Sequence, residues 1–355
     1  MNFQVPDMAL PEGGLNIRLV DTPAAMETRL LDHKVAAAEA FARANRMDKR
    51  SLGAKGAKIG IVAAGKNWLD VTHAMSALNI DDAEAKKLGI TTYKVVQTWP
   101  LDKASLLEWA DGLDLIVVVE EKRKLIEGQI KEALFDNLQG RRVYGATKGD
   151  AAKLLFHSKG ALDTHHIAEA LGQIFVEEGC SNEKIEGGLA ELAKARRADN
   201  ASDIAARIPY FCAGCPHNSS TKVPEGARAY AGIGCHFMAQ WMDRATLGYT
   251  HMGGEGANWI GEELFSTREH VFQNLGDGTY NHSGIQAIRA AVAAGTNITY
   301  KILFNEAVAM TGGQSNDGGL SAPRIARELA AMGVCLLYTS PSPRDVEESR
   351  MPSSA

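Results

Sequence analysis

The residues of this chain best suited to chemistry are a carboxylate and an amide that each follow an apolar run. Asp277 lies within Gly276-Asp277-Gly278, and Asn305 begins the stretch NEAVAMTGGQ. A magnesium ion that holds a diphosphate takes an ionised carboxylate, an amide oxygen and a backbone carbonyl as protein ligands. Asp277, Asn305 and the carbonyl of Ala307 can supply these three ligands, so the sequence predicts a magnesium diphosphate site.

The surrounding pattern predicts how these residues are positioned. VFQNL (271–275) is typical of a buried strand, IQAIRAAVAA (285–294) of an amphipathic helix, and ITYKILF (298–304) of a second strand. The two polar sites then lie at the carboxyl ends of successive strands of a βαβ unit, where open parallel sheets bind ligands. A GDG motif followed one helix and one strand later by Asn is the fingerprint of thiamine diphosphate binding.

Composition indicates an ordinary globular enzyme. The chain has 355 residues, 45% hydrophobic and 23% charged, with a net charge of −5. The acidic balance and the lack of a basic run argue against nucleic-acid binding. No run of apolar residues is long enough for a membrane span, and MNFQVPDMALPEGG is no signal peptide. We therefore expect a cytoplasmic protein that binds neither nucleic acid nor membrane.

The order of predicted elements gives an α/β fold with two doubly wound parallel-sheet domains, because strands alternate with helices in both. We predict five segments. They are a leader loop and helix (1–55, helix 24–45), a first α/β domain (56–147), a polar helical connector (148–207), a second, truncated α/β domain (208–334), and a tail (335–355).

The tail departs from every pattern before it. CLLYTSPSPRD followed by SRMPSSA (335–355) back-translates to what looks like a sequencing-library adaptor. We therefore expect a disordered tail without contact to the core, and a chain that is a fragment of a longer protein.

Three cysteines have metal-ligand spacing. Cys212 and Cys215 form C-x-x-C, and Cys235 follows in GIGCHF. Thiolates spaced in this way can hold one metal or cluster, with a third ligand from a distant turn. Zinc on a Cys3His set with His236, an iron–sulfur cluster with a fourth cysteine elsewhere, and a site without metal are all open from spacing alone.

Five motifs together resemble a known family. CAGCPH, GIGCHFMA, HMGGEGANWIG, NLGDGTYNHSG and FNEAVAMTGGQ occur in the order found in the thiamine-binding half of 2-oxoacid:ferredoxin oxidoreductases, and resemble most the large fused indolepyruvate type. KIGIVAAGKNWLDV, TTYKVVQTWPLD and IVVVEEKRKLIEGQIKE resemble the transketolase-C-terminal-like domain that precedes it. The resemblance covers nearly all of residues 13–334.

The resemblance implies roles for individual residues. Magnesium would be held by Asp277, Asn305 and the Ala307 carbonyl, and the amino end of helix 285–294 would face the phosphates. The diphosphate would meet Gly276, Gly278 and Thr279, and the thiazolium ring would be lined by Met310, Thr311, Gly312 and Gly313. His217, His282 and the loop 253–258 would line the active site, and a four-iron cluster would use Cys212, Cys215 and Cys235. CPH stands where many relatives have CGH, and no fourth cluster ligand is visible.

The activity implied by the resemblance is oxidative decarboxylation of an aryl 2-oxo acid such as indolepyruvate to an acyl-CoA, with electrons passed to ferredoxin. The activating glutamate of thiamine enzymes comes from a pyrimidine-binding domain that this chain lacks. We therefore expect the chain alone to be inactive, and the intact enzyme to be a homodimer with pyrimidine-binding and acyl-transfer parts.

Two other functions fit some of the same residues. A non-redox thiamine diphosphate decarboxylase or synthase would share the magnesium site without needing the cysteines. A non-catalytic, zinc-stabilised module would use the cysteines and leave GDG as a turn.

Overall fold

The computed structural model describes residues 3–199, 209–215 and 217–338. The chain divides into two units, Met1–Asp203 and Ile204–Ala355. Each unit contains its own parallel sheet.

The first unit is built on a five-stranded sheet with strand order β1-β3-β2-β4-β5. All its pairings are parallel except that of β1 with β3. The central strands β2 and β4 are continuous apolar runs because both of their faces are covered. The strands are β1 (Lys49–Arg50), β2 (Ile59–Ala64), β3 (Ile90–Val95), β4 (Leu115–Val119) and β5 (Arg142–Tyr144).

Helices cover both faces of this sheet, and each face has its own apolar core. This doubly wound arrangement confirms the α/β fold class. The helices are α1 (Pro23–Arg29), a π-helical turn (Leu30–Lys34), α2 (Val35–Ala44), α3 (Gly65–Ala77), α4 (Asp82–Leu88), α5 (Lys103–Ala110), α6 (Leu125–Leu134), a 3-10 turn (Phe135–Asn137), α7 (Thr164–Glu177) and α8 (Glu183–Asp199).

Gly60 in β2 shows why one strand position has no side chain. A Cβ there would lie 2.5 Å from the Trp109 ring and 2.6 Å from Leu113. Trp109 on α5 is buried and rests directly on the strand backbone. The glycine therefore lets α5 pack closely on the sheet.

Residues 148–199, the described part of the predicted connector (148–207), pack as part of the first unit. Strand β6 (Thr147–Lys148) pairs with β7 (Asp150–Leu154), and both α7 and α8 pack into the core of the first unit. Gly188 of α8 approaches α3 so closely that a Cβ would lie 2.6 Å from the Ala77 carbonyl oxygen. The sequence was misleading because α8 is mostly polar and buries few apolar side chains, notably Ile185 and Leu192.

The leader segment also belongs to the first unit. Arg43 near the end of α2 donates to the buried Asp102 carboxylate at 2.8 Å, and Asp102 caps α5. The π-helical turn interrupts the predicted helix 24–45 without ending it.

The second unit is built on a four-stranded, entirely parallel sheet with strand order β11-β10-β8-β9. Its core lies between β10, β11 and two helices that follow them. The strands are β8 (Ala229–Ala231), β9 (Thr246–Tyr249), β10 (Val271–Gly276) and β11 (Ile298–Leu303), with a small hairpin of β12 (Ala307–Val308) and β13 (Gln314–Ser315).

The helices of this unit range from single turns to ten residues. They are α9 (His217–Ser220), a 3-10 helix (Cys235–Trp241), α10 (Ala257–Glu262) with a 3-10 turn (Glu263–Phe265), α11 (Asp277–Thr279), a π-helical turn (Tyr280–Gly284), α12 (Ile285–Ala294), a 3-10 turn (Ala309–Thr311) and α13 (Ala322–Ala331).

At the end of the described chain, Cys335 and the side chains of Leu336, Leu337 and Tyr338 are exposed. The rest of the predicted tail, residues 339–355, lies outside the described residues. Within the described ranges, no helix combines the length and the apolarity that a bilayer span would need.

Candidate active site

Asp277 lies at the carboxyl end of β10 and is almost completely buried, with 2% of its surface exposed. Its Oδ1 accepts the Gly278 N–H at 2.9 Å, and its Oδ2 accepts the N–H groups of Asn305 and Glu306 at 3.1 and 2.9 Å. In the register of the sheet, Gly276 pairs with Leu303, so both strands end at the same edge. The carboxylate therefore joins the GDG motif to the loop that carries Asn305.

Asn305 and Ala307 form a tight turn beside this carboxylate. The Asn305 Oδ1 atom accepts the Ala307 N–H at 3.1 Å, and Glu306 between them has a positive φ of 62°. The structure thus brings together Asp277, Asn305 and Ala307, the three residues predicted to hold magnesium.

The oxygens of this turn fit a magnesium ion. In the described structure the Asp277 Oδ1 and the Asn305 Oδ1 atoms each accept one hydrogen bond, which leaves lone-pair capacity on both. All four donors to Asp277 are uncharged N–H groups, so a bound cation would supply the missing positive charge. A carboxylate and an amide oxygen are the hard ligands that Mg²⁺ prefers.

Asn316 is a partner of the site that the sequence did not reveal. Its Nδ2 atom donates to the Asp277 Oδ2 atom at 3.0 Å. It follows the hairpin of β12 and β13, and no motif marked it. A polar residue after a GG turn is too common a pattern to have identified it.

The phosphate-binding residues predicted at the GDG motif lie at the start of a helix. Helical structure begins at Asp277 and continues through the π-helical turn into α12, so the helix end near the GDG motif is at 277. The predicted helix 285–294 is present as α12, but the helical stretch that contains it starts earlier, at Asp277, because the chain becomes helical directly after β10. Thr279 is buried in this first turn. A Cβ at Gly278 would lie 3.2 Å from Val308, so the glycine allows close approach of the hairpin.

Three other predicted lining residues, Met310, Thr311 and His282, have surroundings of their own. Met310 is 63% exposed, and the Thr311 hydroxyl donates to the Gln314 side chain at 2.7 Å. His282 is exposed and its Nδ1 atom lies 2.8 Å from the Ser283 hydroxyl. No described hydrogen bond joins these three residues to the Asp277 carboxylate.

Two buried histidines flank the site. Burial lowers the pKa of His217, and the charge of Asp277 acts in the opposite direction, so the two side chains lie within electrostatic reach of each other. Burial lowers the pKa of His236 to about 4, with His217 acting in the same direction. His236 is therefore neutral at pH 7, and its Nε2 atom has no hydrogen-bond partner in the described structure.

Glu255 in the loop 253–258 is fully buried. Its Oε2 atom accepts the Gly253 N–H at 2.6 Å, while its Oε1 atom has no described partner. Burial raises the pKa of this carboxyl group. Gly232 lies between Glu255 and His236, since a Cβ there would lie 2.8 Å from the Cγ of the first and 2.8 Å from the Nε2 of the second.

The three cysteines share one neighbourhood. Burial raises the pKa of the Cys235 thiol, and the nearby Cys215 and Cys212 raise it further. Within the described chain, however, no group of three or more His, Cys, Asp or Glu side chains is arranged to hold a metal ion. The cysteines as placed do not fit a zinc ion or an iron–sulfur cluster, and no electron-transfer step is assigned to such a centre.

Two family models match this chain. Residues 49–199 match the family described as indolepyruvate oxidoreductase domain, and residues 232–347 match the thiamine pyrophosphate enzyme C-terminal binding domain. The resemblance seen in the motifs is confirmed. The first match also covers residues 148–199 of the predicted connector (148–207), in agreement with their packing in the first unit.

Most of this chain is also similar to curated proteins named indolepyruvate oxidoreductase subunit IorA. The chain is 25% identical over 328 residues to the indolepyruvate oxidoreductase subunit IorA of Pyrococcus horikoshii, covering 84% of this chain and 46% of the relative. It is 26% identical over 291 residues to IorA of Thermococcus kodakarensis, covering 76% of this chain and 42% of the relative. The chain therefore spans less than half the length of these relatives.

Solved structures overlap with smaller parts of the chain. A split-gene transketolase (inactive β4 tetramer) matches with a TM-score of 0.26 and 19% identity, over 36% of this chain and 41% of that one. A second match is the 2-oxoglutarate:ferredoxin oxidoreductase from Magnetococcus marinus, solved with 2-oxoglutarate, coenzyme A and succinyl-CoA bound. It has a TM-score of 0.27 and 18% identity, over 45% of this chain and 24% of that one.

Proposed function

We propose that this chain is the thiamine diphosphate-binding part of an oxidoreductase that converts an aryl 2-oxo acid such as indolepyruvate to an acyl-CoA, with ferredoxin as the electron acceptor. The observation that carries the proposal is the buried Asp277 carboxylate, joined to the Asn305 loop at the edge of a parallel sheet. The similarity to indolepyruvate oxidoreductase subunits supports the choice of substrate class.

Residues of this chain would hold the cofactor. Asp277, Asn305 and the Ala307 carbonyl would bind Mg²⁺, and the first helical turn with Gly276, Gly278 and Thr279 would meet the diphosphate. Thiamine diphosphate, when bound, supplies the electron sink that allows a 2-oxo acid to lose its carboxylate. The neutral, buried His236 lies beside the GDG motif, since a Cβ at Gly276 would lie 3.6 Å from its Cε1 atom.

The intact enzyme needs more than this chain. We propose that a pyrimidine-binding part and an acyl-transfer part complete a cytoplasmic homodimer, with coenzyme A as the acyl acceptor. Cys212, Cys215 and Cys235 lie in one neighbourhood of the second unit. A four-iron cluster there would need a fourth ligand, and within the described residues the three thiols do not form a metal-binding group.

The function is tested by measuring reduction of a low-potential dye by the intact enzyme with thiamine diphosphate, Mg²⁺ and coenzyme A. We expect indolepyruvate and phenylpyruvate to support dye reduction and acyl-CoA formation, and pyruvate to support much less. Decarboxylation to a free aldehyde without dye reduction would contradict the redox function and favour a non-redox decarboxylase.

A further inference from the structure

A short segment carries Cys212, Cys215 and His217, and two cations hold it in place. The cysteine segment consists of the described residues 211–215 and 217–222. Its internal hydrogen bonds are local, with the Cys215 N–H donating to the Cys212 carbonyl and the Asn218 N–H to the Cys215 carbonyl, both at 3.0 Å. Local turns of this kind fix the C-x-x-C pair but not its place relative to Cys235.

Arg244 ties the cysteine segment to the part of the chain that carries Cys235. It follows the 3-10 helix that begins at Cys235. Its Nη1 atom lies 3.4 Å from the His217 carbonyl oxygen and 2.5 Å from the Asn218 carbonyl oxygen. The same atom lies 2.8 Å from the Thr221 hydroxyl. One guanidinium group thus reaches three acceptors in the segment.

An aromatic contact strengthens the same connection. The Arg244 guanidinium lies over the Phe211 ring, 5.5 Å from its centroid. Phe211 is buried and its ring meets the His217 ring edge-on at 5.8 Å. Arg244 therefore holds the segment on both sides of the C-x-x-C pair.

Lys301 ties the other end of the segment to β11. Its Nζ atom donates to the Ser220 and Lys222 carbonyls at 3.0 and 2.6 Å. It also lies over the Phe272 ring of β10, 4.8 Å from the centroid. Strand β11 leads directly into the loop that carries Asn305, so Lys301 connects the cysteine segment to the candidate magnesium site.

We propose that Arg244 and Lys301 are positioning residues that set the distance of Cys212 and Cys215 from Cys235 and from the Asp277 site. Both cations donate to backbone carbonyls of the segment and thereby hold its chain path. The importance of this distance rests on the proposed function, because His217 of the same segment lies within electrostatic reach of Asp277.

The test measures thiol proximity in the full chain and needs no cofactor. Dibromobimane joins two neighbouring thiols, and the rates of crosslinking from Cys235 to Cys212 or Cys215 are followed by mass spectrometry of the joined peptides. Because the rate depends on the effective concentration of the second thiol, we expect it to fall about tenfold in Arg244→Met and several-fold in Lys301→Met. In Arg244→Lys, which keeps the charge, we expect an intermediate rate.

Two controls separate positioning from general loss of structure. Crosslinking within the Cys212 and Cys215 pair depends on the local turn and should be unchanged in every variant. Lys222→Met removes an exposed cation from the same segment and should leave all rates as in the unmodified chain.

An unchanged rate from Cys235 in both Arg244→Met and Lys301→Met would overturn the inference. If Arg244→Met loses its near-ultraviolet circular dichroism, Arg244→Lys takes its place in the test. Crosslinking rates from Cys235 that equal those of the unsubstituted chain in both Arg244→Lys and Lys301→Met would then overturn the inference. If the intact enzyme proves inactive with 2-oxo acids, the proposed function fails while these rates still report the positioning.

Discussion

The backbone N–H of Asn305 donates to the Asp277 Oδ2 atom at 3.1 Å, across the carboxyl ends of two adjacent strands. This bond places a predicted amide ligand and a predicted carboxylate ligand of magnesium next to each other. Because the Glu306 N–H donates to the same oxygen, the loop after β11 is held by the carboxylate itself. Loss of this carboxylate should therefore affect both the ion and the loop.

Asn316→Ala tests the partner of Asp277 that the sequence did not reveal. The substitution removes one hydrogen bond to the Asp277 Oδ2 atom, which keeps two N–H donors. We expect thiamine diphosphate affinity in the presence of Mg²⁺ to fall by about fivefold, equivalent to about 1 kcal/mol. Asn281→Ala, which removes an exposed amide bonded to a carbonyl, is the matched control. Equal affinities for both variants would show that Asn316 does not support the site.

Gly232→Ala tests the close packing between Glu255 and His236. The new methyl group would lie 2.8 Å from atoms of both buried side chains. We expect destabilisation of about 1–3 kcal/mol, measured by urea unfolding followed through near-ultraviolet circular dichroism. The matched control is Gly261→Ala on α10, where the new methyl group would have no atom within 4 Å. We expect this substitution to leave the free energy of unfolding unchanged or to raise it slightly. A neutral Gly232→Ala would mean that this region is not tightly packed.

Asp48→Asn tests a buried carboxyl group in the first unit. Burial raises the pKa of Asp48, and its Oδ2 atom has no described partner while Oδ1 accepts the Val96 and Gln97 N–H groups. The favourable contribution of Asp48 to the free energy of unfolding is complete below the unfolded-state pKa of about 4. It is lost as pH rises through the higher pKa of the folded state. Asparagine keeps the Oδ1 acceptor and never ionises.

We therefore expect Asp48→Asn to be more stable than the unmodified chain at pH 7, with a difference that shrinks toward pH 4. Urea unfolding at several pH values measures this difference. Asp114→Asn, at an exposed carboxylate, provides the comparison. A constant difference between pH 4 and pH 7 would contradict the burial effect.

The strand-end part of the site could be predicted from the sequence. The apolar runs of β10 and β11 are strong, and parallel strands of one βαβ unit end at the same edge, so Asp277 and Asn305 had to lie close together. The start of α12 at Ile285 was predicted, but the helical turns before it were not, because the π-helical turn at Tyr280–Gly284 leaves no periodic signal.

Other contacts arise from tertiary packing alone. Asn316 reaches Asp277 through the hairpin of β12 and β13, and Arg244 and Lys301 bond to backbone carbonyls, which have no sequence signature. Helix α8 is polar along most of its length and is attached to the first unit by a few buried positions, so its composition resembled a solvated connector.

The central claim is that Asp277 holds a magnesium diphosphate. Isothermal titration of the full chain with thiamine diphosphate, with and without Mg²⁺, measures this directly. We expect binding that requires Mg²⁺ and that weakens at least about tenfold in Asp277→Asn, because the only carboxylate ligand is lost. Asp317→Asn, at a nearby exposed carboxylate, should bind as the unmodified chain does. Equal affinity in a folded Asp277→Asn variant, or binding that does not depend on Mg²⁺, would contradict the account.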